Sequence, residues 1–483
     1  MTLFPFVAPA LRRVRSEARA PRGTEVREPE DDLTPMVAGL SDPDPTVRRA
    51  MAKALGEGRD PRAVSALEAS LGDPSPAVRA SAAESLGAIG RSESYAPLDR
   101  TLEDPDPRVR EQAARALRLI ADPRSTPALA GHMKDPAPEV RWAVAIALGR
   151  MRTPLARDTL LGAIDDASDR VRREVVLALA LTEDPRVVEK VRPLLRDPAR
   201  RVRTAAAVVV GRYRDLESVP LLLERMRGPD PWERPAVLVA LGKIGDPRGV
   251  PAMVEAARDP AHYVRVCAIH ALGEMRSERA REVALAHVTD PSWAVRGAAA
   301  VCLGSVGTPA DLPILLGMLE DANPWPRSGT IYAIGRLELV EAVPRVREEL
   351  HHPNADVRLA AVWTLGRLRD DGARAELVRM LHAEPAAPEP PAVFAAGETI
   401  RISSDAETRI FDTVVEALGR LRRADDDPFV EQALSDARSQ LSEEELDRMA
   451  RLPLLGGDAT STTLTLRILF ETALPMDGTD DEA

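Results

Sequence analysis

Seven histidines, two cysteines and one column of arginines are the residues of this 483-residue chain whose types and spacing could do chemistry. The histidines are His132, His262, His270, His287, His351, His352 and His382, and they form no H-E-x-x-H pair or other i, i+4 pair suited to a metal. His351, His352 and Asp356 come nearest to a ligand cluster, and an exposed turn is the expected reading. Cys267 and Cys302 match no zinc or redox spacing and are too few for a disulfide framework, so a reducing compartment is expected. No glycine-rich phosphate loop or nucleophile elbow appears, and a recurring glycine reads as a helix C-cap. The expectation is no catalytic residue, no metal and no cofactor.

The arginines carry the pattern. They recur without slippage every 31 residues, eleven times, from Arg48 to Arg358. An aspartate stands six residues before the arginine in nine copies, with Gly228 and His352 as the exceptions. Asp42, Arg48, Asp73, Arg79, Asp104, Arg110, Asp135, Arg141, Asp197 and Arg203 would build a buried ladder of charge-assisted hydrogen bonds linking successive turns. Asp259 and Arg265, Asp290 and Arg296, and Asp321 and Arg327 continue it. An anion-binding row is the competing reading, and paired charges leave it little net field.

These residues need helices to hold them. The unit reads D-P-x-P-x-V-R-x-x-A-x-x-A-L-G. A first amphipathic helix, such as 63–71 with Val64, Leu67 and Leu71 on one face, ends at the D-P-x-P turn. Pro45, Pro76, Pro107 and Pro138 then open the second helix behind Asp44, Ser75 or Asp106 as N-caps, where a missing N–H costs nothing. Alanines on the inward side of the second helix, such as Ala82 and Ala116, allow close approach between neighbouring units.

This pattern resembles the HEAT repeat, in the short form named after phycobilisome lyase subunits. The resemblance covers residues 33–382, with a degenerate twelfth unit to about 438. It implies an all-α, armadillo-like solenoid of about twelve helix pairs, with second helices lining a concave side and the aspartate and arginine as its polar landmarks. Such arrays serve as scaffolds, adaptors, chromophore lyase subunits and, rarely, enzymes. Iron-binding hydroxylases built from helical repeats use His-Glu dipeptides, and no histidine here precedes a glutamate.

Function is expected where units differ in ways packing does not require. Five residues after the ladder arginine stand Lys53, Glu84 and Arg115 in the first three units, as an exposed position would have. From the fourth unit the slot becomes Ile146, Leu177, Val208, Val239, His270, Val301, Tyr332 and Trp363, and it reverts to Glu416 in the twelfth. Trp142 makes a similar change in the slot directly after the arginine. Trp232, Tyr263, Trp293 and Trp325 lie at the turn opening the second helix in four successive units. An apolar groove with an aromatic edge is the expectation, because open apolar patches usually await a partner. Burial of the column between neighbouring helices, and rings that merely pad wide turns, are the alternatives.

The register breaks once, by 22 residues at about 383–404, an insertion in the turn of unit twelve; 405–455 reads as a terminal repeat with capping helices. Ile400 and Ile402, and later Leu464, Leu466, Ile468 and Phe470, alternate with polar residues, so a small β element is expected near the C-terminus, where 456–483 also forms an acidic tail. Residues 1–32 show no helical stripe and read as a disordered tail with an apolar start.

Composition narrows the class. Aromatics are 3% and apolar residues 44%, so the core must be aliphatic. Residues 371–483 hold 11 Arg against 24 acidic residues, a net −13, which leaves +2 on residues 1–370. That balance argues against nonspecific nucleic-acid binding. No run of 18 apolar residues could span a membrane, and the N-terminus lacks the order of a secretory signal, so a cytoplasmic protein is expected. The function expected is a non-enzymatic scaffold or adaptor that binds another protein or peptide through units four to eleven. A bilin lyase-like subunit or chaperone, and a helical-repeat DNA glycosylase, are the alternatives.

Overall fold

The computed structural model describes residues 33–382, except 183 and 229. The expected tail 1–32, insertion 383–404, terminal repeat 405–455 with Glu416 and strand-like segment 456–483 lie outside the described residues.

Every described element is an α-helix or a short 3-10 turn. The eleven second helices are α1 (Pro45–Gly58), α2 (Pro76–Ile89), α3 (Pro107–Ile120), α4 (Pro138–Met151), α5 (Asp169–Leu179), α6 (Arg200–Arg212), α7 (Arg234–Ile244), α8 (His262–Glu274), α9 (Trp293–Val306), α10 (Pro324–Arg336) and α11 (Ala355–Arg367). A shorter first helix precedes each, as Val64–Ser70, entered through the 3-10 turn Pro61–Ala63, precedes α2. The described residues fall into two compact units, one ending at Ala240 and one beginning at Leu241. In the first, α1 to α6 pack each on the next; in the second, α8 to α11 do the same.

Proline opens α1 to α4, as the missing N–H at a helix start allows. Asp44 and Asp106 cap α1 and α3 by accepting the N–H groups of Thr46 and Arg108, whereas Ser75 makes no side-chain cap. The core takes one or two apolar residues from most first helices and several from the second helices. Leu67, Leu98, Leu129 and Leu160 are wholly buried with Leu86, Leu117, Leu148 and Leu179 in the first unit. Leu315 and Leu377 are buried with Leu303 and Leu365 in the second. Each such side chain contributes about 1.5–3 kcal/mol of burial.

The recurring glycine corrects the C-cap expectation. Gly56, Gly87, Gly149, Gly211, Gly273 and Gly304 lie inside their helices, short of the C-terminus. A Cβ on Gly87 would lie 2.6 Å from the Ala116 Cα, and one on Gly211 2.7 Å from the Ala240 Cα. The glycine therefore marks the closest approach between successive second helices. The left-handed C-terminal position comes three residues later, where Gly90 has φ 75° and Arg59, Ala121 and Arg152 adopt φ near 50°.

Candidate functional site

The ladder arginines reach across units. Arg48 donates from Nε and Nη2 to the Asp73 carboxylate at 2.6 and 2.9 Å, while its Nη1 donates to the Asp42 carbonyl at 2.8 Å. Arg79 forks onto Asp104 and Arg110 onto Asp135 in the same way. Arg141 takes Asp166, Arg265 takes Asp290, and Arg296 takes Asp321. Each aspartate also accepts the backbone N–H two residues on, as Asp73 does from Ser75 at 2.8 Å. One guanidinium thus ties its own turn to the carboxylate of the next unit.

Where the aspartate is missing, a different carboxylate arrives. Gly228 holds none, and Arg203 donates to Glu233, which is buried and also takes Arg225 at 3.0 Å. His352 replaces the next one, and Arg327 donates to Glu349 at 2.7 Å. His352 keeps the turn by accepting the Asn354 N–H on Nδ1 at 3.0 Å. Asp259 accepts the Ala261 N–H at 2.8 Å and offers its carbonyl to Arg265.

A second set of bridges was not anticipated. First-helix arginines reach the aspartate at the start of the next unit: Arg157 to Asp184 at 2.9 Å, Arg192 to Asp215 at 2.8 Å and Arg281 to Asp311 at 3.0 Å. Of these carboxylates only Asp184 belongs to the D-P-R motif that recurs every 62 residues at Asp60, Asp122, Asp184 and Asp246, and there the arginine two residues on, Arg186, also forks onto it.

The apolar column is open in places only. Val208 is 38% exposed, and Ile146, Leu177, Val301 and Tyr332 are half-buried with Trp142. Val239, His270 and Trp363 are buried, at 8%, 9% and 7%. Close packing of the second helices is the reason. Trp363 lies edge-to-face on Tyr332 at 5.2 Å and sits over the space that Gly335 leaves. Burial also lowers the His270 pKa, with Glu274 opposing and Lys243 assisting.

The rings divide as well. Trp232 and Trp293 are 43% and 37% exposed, and Tyr263 is half-buried. Trp325 is half-buried: its indole occupies the space beside Gly297 and meets Trp293 edge-to-face at 6.1 Å. The glycine directly after Arg296 was the available signal for this contact, because that slot holds side chains in every other unit.

Burial pushes the Cys267 and Cys302 thiols up to about 12. His351 is exposed, 3.8 Å from Glu376. Among the described residues no group of three His, Cys, Asp or Glu could hold a metal, and no helix is long and apolar enough to cross a membrane.

The family comparison agrees with this architecture. The chain matches the family described as HEAT repeats over residues 33–110, 96–180, 158–241, 188–266, 219–291, 250–335 and 317–389. No curated protein matches it. Among solved structures it is similar to the complex of CpcE and CpcF of phycocyanin lyase from Nostoc sp. PCC7120, at 24% identity over 55% of this chain and 96% of that one, with a TM-score of 0.27. It is also similar to Kap95p bound to RanGDP, at 15% identity over 91% of this chain and 66% of that one, TM-score 0.45. Importin beta gives 14% identity over 91% and 66%, TM-score 0.45.

Proposed function

We propose, from the premise that this chain belongs to the HEAT repeat family, that it acts as a non-enzymatic scaffold or adaptor whose second helices in units four to eleven dock a protein partner. The observation that carries this reading is the exposure of Trp232 and Trp293 at helix openings, while Trp325 and Trp363 are taken up by glycine-made spaces. Both indoles leave a third or more of their surface open, in a chain poor in rings. Trp buries a large area on binding while losing few rotamers, which suits an interface anchor. Val208 and the half-buried Ile146, Leu177 and Val301 extend the apolar area on their own units.

The test is affinity capture with the full chain carrying Trp232→Ala, Trp293→Ala or both. Loss of the captured partner by at least tenfold is expected, with the chain still folded and melting lowered less than by Trp325→Ala. Undiminished capture by the double variant overturns the reading.

A further inference from the structure

The exposed stripe of the second helices changes character between units three and six. Its floor there is apolar, formed by Trp142, Ile146, Leu177 and Val208. Its margins carry five exposed arginines, interrupted by the exposed Glu139 in the first turn of α4. Arg108, Arg170 and Arg200 sit exposed in the first turns of α3, α5 and α6. Arg150 and Arg212 sit exposed in the last turns of α4 and α6. None of these five pairs with a carboxylate among the described residues, although arginines elsewhere are forked onto one unit after unit.

The packing of the helices does not call for the first three. A helix N-terminus carries partial positive charge, so a cation in the first turn is disfavoured by a few tenths of a kcal/mol or more. Arg150 and Arg212 are at the favourable end and complement the dipole. The position of Arg108 and Arg170 holds Thr46 and Ala77 in units one and two, Glu139 in unit four, and Tyr263 and Ala294 later, while that of Arg200 holds proline in units one to four, so the cations are not part of the repeat. The near-neutral total over residues 1–370 conceals this local field.

We propose that this floor and its two arginine margins bind an acidic, apolar-studded segment of the chain's own C-terminal region, residues 425–451. The inference rests on reading this face as a docking surface, and it names the occupant of one stretch. Residues 383–483 carry 9 Arg against 22 acidic residues, the opposite sign to the margins. Within them, 425–451 holds nine acidic residues, three arginines, and Phe429, Val430, Leu434, Leu441 and Leu446 among the charges. That composition matches an apolar strip flanked by cations. The 22 residues of the insertion 383–404 can by themselves extend to about 70 Å, and tethering raises the effective concentration of a weak ligand toward about millimolar. The tail would then compete with any acidic partner for these units.

The experiment measures anisotropy of a labelled 425–451 peptide against full-length chains. One is wild type. One carries Asp425→Asn, Asp426→Asn, Asp427→Asn, Glu443→Gln, Glu444→Gln and Glu445→Gln, which removes the internal competitor. A third adds Arg150→Glu, Arg170→Glu and Arg212→Glu to the second. The peptide should bind the second chain at least tenfold more tightly than the first, weaken with salt, and lose at least tenfold on the third, whose melting is checked by circular dichroism. Equal binding to wild type and the neutralised chain, or indifference to the arginine reversal, overturns the proposal. Equal binding of a composition-matched scrambled peptide or of duplex DNA also overturns it, leaving only a generic anion surface. If the peptide is ignored while Trp232 and Trp293 still govern capture, the docking reading stands and the occupant assigned here is wrong.

Discussion

Arg172 donates forward to Asp197, 25 residues on, at 2.8 and 2.9 Å from Nε and Nη2, while its Nη1 donates to the Asp166 carbonyl of its own unit at 2.8 Å. Each rung of the ladder is therefore shared between two units. A unit deprived of its neighbour would keep the carbonyl contact and lose the carboxylate, which explains in part why such units need company to fold.

The rungs should differ in their sensitivity to truncation. Asp197 takes one guanidinium and the Ala199 N–H, whereas Glu233 takes both Arg203 and Arg225. Arg172→Ala should cost about 2 kcal/mol, below the range for a fully buried pair because both groups keep some solvent. Arg203→Ala should cost roughly 1 kcal/mol less, since Arg225 still faces the carboxylate. Hydrogen exchange at residues 197–199 and 230–235 in the two variants checks the order. Equal opening at both places would mean that Arg225 gives Glu233 no support.

Acid should unzip the ladder. At Asp104, Asp135, Asp166 and Asp197 burial opposes the charged form, but the arginine fork and a backbone N–H outweigh it, and all four carboxyls lie below their usual range. At Asp73 the Arg48 hydrogen bonds are the largest cause of the same shift. A carboxyl depressed on folding contributes stability that is full above its unfolded pKa near 3.9 and lost as pH falls through the folded value. Melting should thus change little from this source down to pH ~4 and fall steeply below it. A flat profile from pH 4 to 2.5 would show that the ladder contributes nothing.

Much of this architecture could be read before any coordinates, because a 31-residue period repeats itself eleven times. The proline helix starts and the fully buried Leu86, Leu117 and Leu148 follow from local chemistry and periodicity, which a single chain displays. The partner of each ladder arginine did not, since the spacing places Asp197 equally near Arg203 in sequence and Arg172 in space. Exposure in the apolar column was also hidden. Whether Trp363 faces water depends on a glycine in the preceding unit, Gly335, and periodicity is blind to that pairing.

Gly211 decides between its two readings by sign. In an exposed helix interior, Gly→Ala gains up to about 1 kcal/mol. At Gly211 the new Cβ would press on Ala240, and overpacking costs about 1–3 kcal/mol. Gly317, in the first helix Leu312–Met318, has nothing within 4 Å of its would-be Cβ. Gly211→Ala should lower the melting temperature and Gly317→Ala should hold or raise it. A stabilised Gly211→Ala would return that glycine to a role in chain conformation alone.

Trp325 should behave as a packing residue although it shares its edge with Trp293. Its ring fills the space beside Gly297, so Gly297→Ala would put a methyl 2.1 Å from the ring and force the indole out. Both Gly297→Ala and Trp325→Ala should destabilise the unit from Leu241 on, the latter by about 2–3 kcal/mol for a half-buried indole. Trp293→Ala should cost less. Denaturant melts of the three variants give the order, and a neutral Trp325→Ala would move that ring back among the partner-binding candidates.

The second compact unit should also carry a pH response in a higher window than the ladder. His352 accepts the Asn354 N–H on Nδ1, which requires the neutral ring, and burial together with Arg327 lowers its pKa against a smaller upward pull from Glu349. His270 is lowered chiefly by burial. Between the folded values and the unfolded value near 6.5, the unfolded chain binds more protons, so stability is full above about 6.5 and falls as pH drops below it. The window lies above that of the aspartates, so the two responses separate. His352→Asn retains an acceptor for the Asn354 N–H, and His270→Gln retains a polar side chain of similar reach. Melting of this unit between pH 7.5 and 5.5 should lose much of its slope in the double variant, and a slope equal to wild type would assign the response to other groups.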